Sequence, residues 1–553
     1  MSDAPPRVGR AWARPGYWLG ALLLGHALVA TGLCRRTMSV LGPDQTSYLD
    51  LASQLAAGHP AASVSGHWSP LIIWLSALLL RCGAAGPVAL HVVGTVAGSL
   101  WMLGAWFLAV RYRLPVGARL VVAAVVGLWA ARYAATGSGA DLCLTAALTW
   151  YWWAATHPDL SRRTWPSVVV GVLGGLAYLA KAYALPFVGL HYALSCILRA
   201  RTERSVEPGA PSTYWRSWLV GTVTLVLVAA PWVAALSGRY GGLIISTLPE
   251  SGRRQLDYGT DEGRWYQRGL HAPRPGALSV WVDPAAYERA HPDEAPVRLT
   301  WAKRVRLFAG NVLELRDKVV RRLDVAGLAP AALCLLVVVV AGRLRAPANG
   351  GLEWPAWTLL TFLCYVSGYL LTGVPAERYY LPAWMLLFLN TLALACWGQT
   401  LLAARSRVAG RLLGLLVAGS LLVGGLNVVA DQARFRDPGT EQTLGRQLRA
   451  LPVVAPLAVE PRGYTPSDRD TWSVGLKIAY WAGLQYLGVP NGTEPQRMAA
   501  ELEAAGVRTF LVRPEDLTAG YLAGRAGWRQ VGQITAAGQG GQLIRYEVLA
   551  FAP

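Results

Sequence analysis

Residues 42–71 read GPDQTSYLDLASQLAAGHPAASVSGHWSPL, the most polar stretch of an otherwise apolar N-terminal region. They follow a first apolar run, Tyr17 to Leu33, and precede a short one, PLIIWLSALLL at 70–80. A helix needs about 20 apolar residues to cross a bilayer, so the second run is too short to be an obvious span. Whether it crosses sets the side on which every later loop lies.

Working outward, the chain has 553 residues, 54% of them hydrophobic and 15% charged, with mean hydropathy +0.33. That is too apolar for an ordinary soluble enzyme and too long for one domain. Runs long enough to span lie near 17–33, 84–110, 117–134, 141–156, 165–180, 182–198, 215–236, 325–342, 355–374, 379–398 and 411–430. The formal charge is +19, yet the basic residues sit in short clusters between apolar runs (Arg111 to Arg113, Arg162-Arg163, Arg199 to Arg204, Arg343 to Arg345). Such clustering marks cytoplasmic loops, and no basic and aromatic stripe in a soluble segment argues for nucleic acid. With the N-terminus inside and 70–80 lying along the outer face, all these clusters fall inside.

The expected architecture is therefore a polytopic α-helical membrane protein with about 11 transmembrane helices. Interfacial helices occupy the first external loop, 34–83, and a second long external loop covers 237–324. The membrane domain is expected over 1–430. From 431 to 553 no span follows, and short β-rich runs (453–459, 507–512, 543–548) alternate with the helical patterns VGLKIAYWAGLQYL and PQRMAAELEAAG, which reads as a small extracytoplasmic α/β domain.

That parity brings ionisable residues to one face: Asp44 in the first loop, Arg132 and Asp141 around the second external turn, Lys181 in the third, and Glu377-Arg378-Tyr379-Tyr380 between two late spans. Lysine is a rare choice here, Lys181 being one of only four. Charges at membrane depth are costly and mark function. Each also has a plain structural reading. Asp44, with Ser47 behind it, suits a helix N-cap, Asp141 suits a second one, and Arg132, Lys181 and Arg378 suit side chains reaching for the interface. Taken together, a carboxylate among several cations suits a phosphate-bearing amphiphile: arginine offers a fork for phosphate and a carboxylate can take a proton from an attacking hydroxyl. His271 and His291, in the long loop, read as structural or solvated, and the cysteines show no CxxC pair.

In order, Pro43-Asp44 with Tyr48, Leu49 and Leu51-Ala52, then HWSPLIIWLSALL, Asp141-Leu142 opening a span, GGLAYLAKAYALP, APWVAALSGRYGG and ERYYLPAWMLL resemble the GT-C superfamily of membrane glycosyltransferases. The similarity is to the branch of protein O-mannosyltransferases, the lipid A aminoarabinose transferase and their bacterial relatives, and it covers about residues 15–430. The sequence departs from the pattern at Gln45, where many members have Glu, at a single proline in HWSP, and at Ala180 before Lys181. The resemblance implies an inverting hexosyl- or pentosyltransferase of the inner membrane, with its active site outside the cytoplasm. It uses a polyprenyl-phosphate sugar donor and an acceptor hydroxyl on lipid, glycan or protein. Asp44 becomes the catalytic base. Asp141, Lys181, Arg378, Tyr379, Arg132, Tyr48, His67 and Trp68 are substrate-binding candidates, the aromatic ones serving equally well as an interfacial belt. Membrane lipids are partners, no nucleic acid or cofactor is expected, and no ligand spacing calls for a metal, although a divalent ion stays open. The alternative is a transporter or flippase of a lipid-linked or amphiphilic solute, against which stands the lack of an internal repeat.

Overall fold

The computed structural model describes residues 9–206, 213–248, 265–291, 300–326, 353–372, 376–403, 406–461, 471–538 and 541–551. The chain forms two compact units. One gathers Met1–Arg35, His91–Pro231 and Trp301–Phe435; the other gathers Arg36–Leu90, Trp232–Thr300 and Arg436–Pro553.

In chain order the helices are α1 (Gly9–Arg36), α2 (Pro43–Ala56), α3 (Pro70–Arg81), α4 (Gly86–Arg111), α5 (Val116–Ala135), α6 (Gly139–Ala155), α7 (Thr164–Ala180), α8 (Ala184–Val206) and α9 (Tyr214–Tyr240). After strand β1 (Gly269–Leu270) come α10 (Pro284–Ala290), α11 (Trp301–Ala326), α12 (Glu353–Thr372), α13 (Leu381–Ala403), α14 (Arg407–Arg434) and α15 (Thr440–Arg449). The C-terminal segment then runs β2 (Leu457–Val459), α16 (Thr471–Ala482), β3 (Tyr486–Val489), α17 (Pro495–Ala504), β4 (Thr509–Val512), α18 (Leu517–Ala523), β5 (Trp528–Ala537) and β6 (Leu543–Phe551).

Among the described residues six helices are long and apolar enough to span: Pro15–Arg36, Gly86–Arg111, Val116–Ala135, Tyr214–Tyr240, Glu377–Thr400 and Arg407–Arg434. Large apolar side chains stand exposed along two of them (Val226 and Leu227 on α9, Leu415 and Leu416 on α14), as a lipid-facing surface requires. α6 and α7, at 17 residues each, are shorter than the usual span. α3 has 12 residues, about 18 Å at 1.5 Å per residue, well short of the roughly 30 Å hydrocarbon core. The expected span at 325–342 lies outside the described residues except for its first two, which end α11. Within the stretch expected as a long loop, α11 is a regular helix of 26 residues. Trp301, Val305, Phe308 and Val312 recur on it at helical spacing, which gives it an apolar stripe.

Asp44 does not cap α2. The N-cap is Gly42, Pro43 occupies the first turn, and the side-chain oxygen of Gln45 accepts the Gly42 N–H at 2.8 Å. Proline needs no donor partner at that position, so the PDQ order starts the helix two residues earlier than an aspartate cap would. Asp44 sits half-buried in the first turn, where the helix dipole favours an anion.

In the second unit a six-stranded sheet has the order β1-β3-β2-β4-β6-β5. β3, β2 and β4 are parallel, and the remaining pairs are antiparallel. The expected run VGLKIAYWAGLQYL divides: Gly483 takes φ +73 just past α16, and the chain re-enters as β3. PQRMAAELEAAG forms α17, and Gly506 follows its end at φ +68, a left-handed residue of the kind that stops helices. β1 comes from the long loop, with Gly269 opposite Val489 and Leu270 opposite Gly488, so that loop completes the C-terminal sheet.

Candidate functional site

The ends of helices in the first unit assemble the site. Asp141 is the third residue of α6 and buried at 5% exposure. Lys181 caps the C-terminus of α7 in an extended conformation, its N–H bonded to Ala177 O at 2.9 Å. α6 and α7 are packed neighbours, so the start of one meets the end of the other. Both placements agree with the helix dipole, anion at a start and cation at an end. The Lys181 ammonium donates to Asp141 Oδ1, and Arg378 Nε lies 3.5 Å from Asp141 Oδ2. Arg378 belongs to the 3-10 turn Glu377–Tyr380 that leads into α13. One carboxylate thus faces two cations, leaving a local excess of positive charge.

Tyr379 lies under both cations. Lys181 Nζ stands 3.7 Å from its ring centroid and Arg378 Cζ 5.3 Å. The ring stacks on Tyr369 at 5.5 Å and 11°, and Tyr369 stacks on Tyr183 at 4.1 Å and 29°. Tyr365 O–H donates to the Tyr379 carbonyl at 2.6 Å. Gly368 faces the Tyr183 ring so closely that a Cβ there would collide with it. Arg132, in the last turn of α5, covers the Tyr133 ring at 5.5 Å, and Tyr133 O–H donates to Glu377 Oε1 at 3.0 Å. Of the expected residues, Asp141, Lys181, Arg378 and Tyr379 are in direct contact, and Arg132 joins through Tyr133.

Asp44, Tyr48, His67 and Trp68 belong to the second unit. There Tyr48, His67 and Trp68 are buried and packed into a ring cluster: Tyr48 to Trp68 5.0 Å, His67 to Trp68 4.5 Å, Trp68 to Trp281 5.5 Å. Trp68 Nε1–H donates to Trp281 O at 2.9 Å, and Trp281 continues to Tyr266 and Trp472. His271 bonds Tyr287 O–H through Nδ1 at 2.7 Å, and His291 stacks on Tyr287 at 4.1 Å, both packing roles within the loop.

Two carboxylates of this unit escaped the sequence reading. Asp283, 3% exposed, binds Arg239 at 2.8 Å and Arg274 at 3.6 Å, accepts Tyr240 O–H at 2.6 Å, and caps α10. Asp50 accepts Gln54 Nε2 at 2.8 Å and Leu278 N–H at 3.3 Å. Burial pushes its carboxyl up to about 6, against the opposing pull of Leu278 N–H, the Arg274 charge and Gln54. The usable signal was Asp50 two turns along α2 from Asp44, on a helix otherwise free of charge. Among the described residues no group of three or more His, Cys, Asp or Glu side chains is placed to hold a metal ion.

With that geometry in hand, the chain can be set beside solved structures. ArnT from Cupriavidus metallidurans bound to undecaprenyl phosphate superposes with TM-score 0.53 at 13% identity, over 96% of this chain and 97% of that one. The chain shares the ArnT fold. ArnT in the apo state gives TM-score 0.53 at 14% identity, over 97% and 98% of the two chains. The arabinofuranosyltransferase AftD from Mycobacteria gives 0.50 at 13%, over 97% of this chain and 40% of that one. No family profile matches the chain and no curated protein matches it in sequence. The ArnT fold accounts for both parts, a polytopic helical membrane portion and a small C-terminal sheet domain.

Proposed function

We propose that the protein is an inverting membrane glycosyltransferase that moves a sugar from a polyprenyl-phosphate donor to an acceptor hydroxyl on the extracytoplasmic face. The observation that carries this reading is the near-full-length match to ArnT, a protein seen with undecaprenyl phosphate bound. AftD, whose name states arabinofuranosyl transfer, supports it. The cation-rich group around Asp141 supplies the matching chemistry.

In this reading Lys181 and Arg378 hold the donor phosphate, with Arg132 nearby and Tyr379 as the floor beneath both cations. The acceptor O–H gives its proton to the Asp44 carboxylate as its oxygen attacks the anomeric carbon. The bond from that carbon to the phosphate oxygen breaks, inverting the configuration, and the charge left on polyprenyl phosphate is taken up by the two cations. Asp141 holds the cations side by side while the site is empty. Tyr48, His67 and Trp68 contribute to sugar binding, and the 1–430 portion carries the transferase chemistry. No resident cofactor takes part.

The test is transfer of labelled sugar from polyprenyl phosphate to acceptor lipid or glycan in detergent, where a flippase, which needs two compartments, gives no signal. Asp44→Asn is expected to lower transfer by about 10²–10⁴, the usual contribution of a general base. Transfer within tenfold of wild type would remove Asp44 from that role.

A further inference from the structure

Three helices of the first unit each serve the cation group at one end. α6 has Asp141 as its third residue, α8 starts three residues after Lys181, and α12 bears Tyr365 and Tyr369, which support Tyr379. The same three helices meet again at His191. This residue is the eighth of α8, about 10 Å along it at 1.5 Å per residue, and it is fully buried together with Tyr151 of α6 and Thr361 of α12. Thr361 O–H donates to Trp357 O at 2.7 Å, which leaves its oxygen to accept His191 Nε2–H at 2.8 Å; Nδ1 then accepts Tyr151 O–H at 2.8 Å. Ser195, one turn further along α8, stands 3.3 Å from Nε2. Tyr151 lies ten residues beyond Asp141, about 15 Å along α6, so this network acts on the cation group only through the helices.

The seam between α8 and α12 is a ladder with a four-residue step. Tyr183, just ahead of α8, then Phe187 and His191 run one way; Tyr369, Tyr365, Thr361 and Trp357 run the other. Tyr183 stacks on Tyr369 at 4.1 Å, Phe187 meets Tyr365 at 5.3 Å, and His191 meets Trp357 at 5.5 Å. Such a repeat is degenerate. A shift of one turn, about 5.4 Å, sets ring against ring again, and Tyr183 O–H, which donates to Tyr365 O, finds a carbonyl at every turn. Gly368 leaves room for the Tyr183 ring in the observed register, but room alone does not hold it there. The His191–Thr361 bond does, because a shift would part the two groups among apolar neighbours, where an unpaired polar group is costly. Fixing register is the best-attested use of a buried polar group.

We propose that His191 is a positioning residue for the donor phosphate site: its bonds to Tyr151 and Thr361 set α8 and α12 in register with α6, which keeps Tyr379, through Tyr365 and Tyr369, beneath Lys181 and Arg378. The inference rests on the reading of those two cations as the phosphate grip. In a shifted state the ring leaves the cations, and only the aligned fraction of molecules binds. The measured affinity falls by that fraction, whereas the number of sites per folded molecule stays the same.

The test titrates undecaprenyl phosphate into the full-length protein in detergent and reads both Kd and the number of sites by calorimetry. His191→Leu, which removes the bonds and keeps an apolar side chain in place, is expected to raise Kd about three- to twentyfold, the span of one interhelical hydrogen bond in a membrane, with the site count unchanged. Thr361→Val should act likewise, and the double variant should lose no more than the larger single loss, because both break one bond. His191→Gln, whose amide both donates and accepts, should restore most of the affinity. Lys181→Met is the control for the underlying reading. If Lys181→Met weakens binding and His191→Leu does not, the inference falls and the reading stands. An unchanged Kd with fewer filled sites would also overturn it, by making His191 a general folding residue, as would losses that add in the double variant. If wild type binds no undecaprenyl phosphate, or Lys181→Met leaves binding unchanged, the reading of the grip falls and this inference falls with it.

Discussion

Asp141 and Asp283 share a formula, one buried carboxylate with two cations, and differ in what the cations do besides. At Asp283 the guanidinium of Arg239 also donates to Ala61 O at 3.0 Å, and that of Arg274 donates to Val64 O at 3.4 Å and to Ala62 O. Tyr240 links the same carboxylate to Gly66 N–H at 2.8 Å. This centre ties the segment after α2 to the end of α9 and the segment beyond it through backbone groups of residues 61–66. At Asp141 the cations meet a carboxylate and the face of a tyrosine ring. The same charges make a staple in one unit and, in the proposed reading, an adjustable grip in the other.

The largest effect should come from breaking the staple. Asp283→Ala leaves two half-buried arginines and a tyrosine hydroxyl facing the void of a buried carboxylate, and removing one partner of a buried pair costs about 3–5 kcal/mol. The unfolding temperature of the full chain should fall steeply. An unchanged melting curve would show that the centre is not structural.

The grip should respond differently. Lys181→Met is expected to raise the KM for the polyprenyl-phosphate donor by about ten- to a hundredfold, the range for hydrogen bonds to charged groups at about 1.5–3 kcal/mol, with a smaller thermal shift than Asp283→Ala. Equal thermal losses in the two variants would collapse the distinction between the centres.

This contrast also marks what could be read in the sequence. Apolar runs with arginine clusters between them revealed the helical membrane portion, because span length and loop charge are local properties. Asp141, Lys181 and Arg378 were legible for the same reason: each is an ionisable residue at the edge of an apolar run. Asp283 and Asp50 were not, since each lies in a polar stretch where a carboxylate is unremarked, and their partners come from distant segments. The strand at 269–270 was equally hidden. Two residues carry no periodicity, and only pairing with β3 makes them a strand. Tyr365 and Tyr369 look in sequence like ordinary tyrosines of an apolar helix, and their role beneath the Tyr379 turn appears only in three dimensions.

Asp50 offers a pH test that touches the second unit alone. Its carboxyl stands at about 6 against an ordinary 3.8, so the folded state holds this proton more tightly than the unfolded chain. The stability it contributes is full below 3.8 and is lost as pH rises through about 6. Asp50→Asn keeps an oxygen to accept from Leu278 N–H and removes the buried charge. Two pH units correspond to about 3 kcal/mol, and partial exposure reduces this to about 1–2 kcal/mol. The variant should melt higher than wild type at pH 8 and converge with it near pH 4. A constant offset across that range would assign the effect to packing and not to the proton.

The smallest expected effect isolates the ring beneath the cations, the feature that separates the grip from the staple most directly. Tyr379→Leu removes a face that Lys181 approaches at 3.7 Å, an interaction of about 0.5–2 kcal/mol depending on desolvation. Tyr379→Phe keeps the face and loses only the hydroxyl. If the ring positions the cations, Phe should match wild type in donor KM while Leu raises it about two- to thirtyfold, the range that a contact of this size covers. A loss shared by Phe and Leu would move the role from the ring to the hydroxyl. A Leu variant indistinguishable from wild type would mean that the ion pairs with Asp141, and not the ring, set the cations.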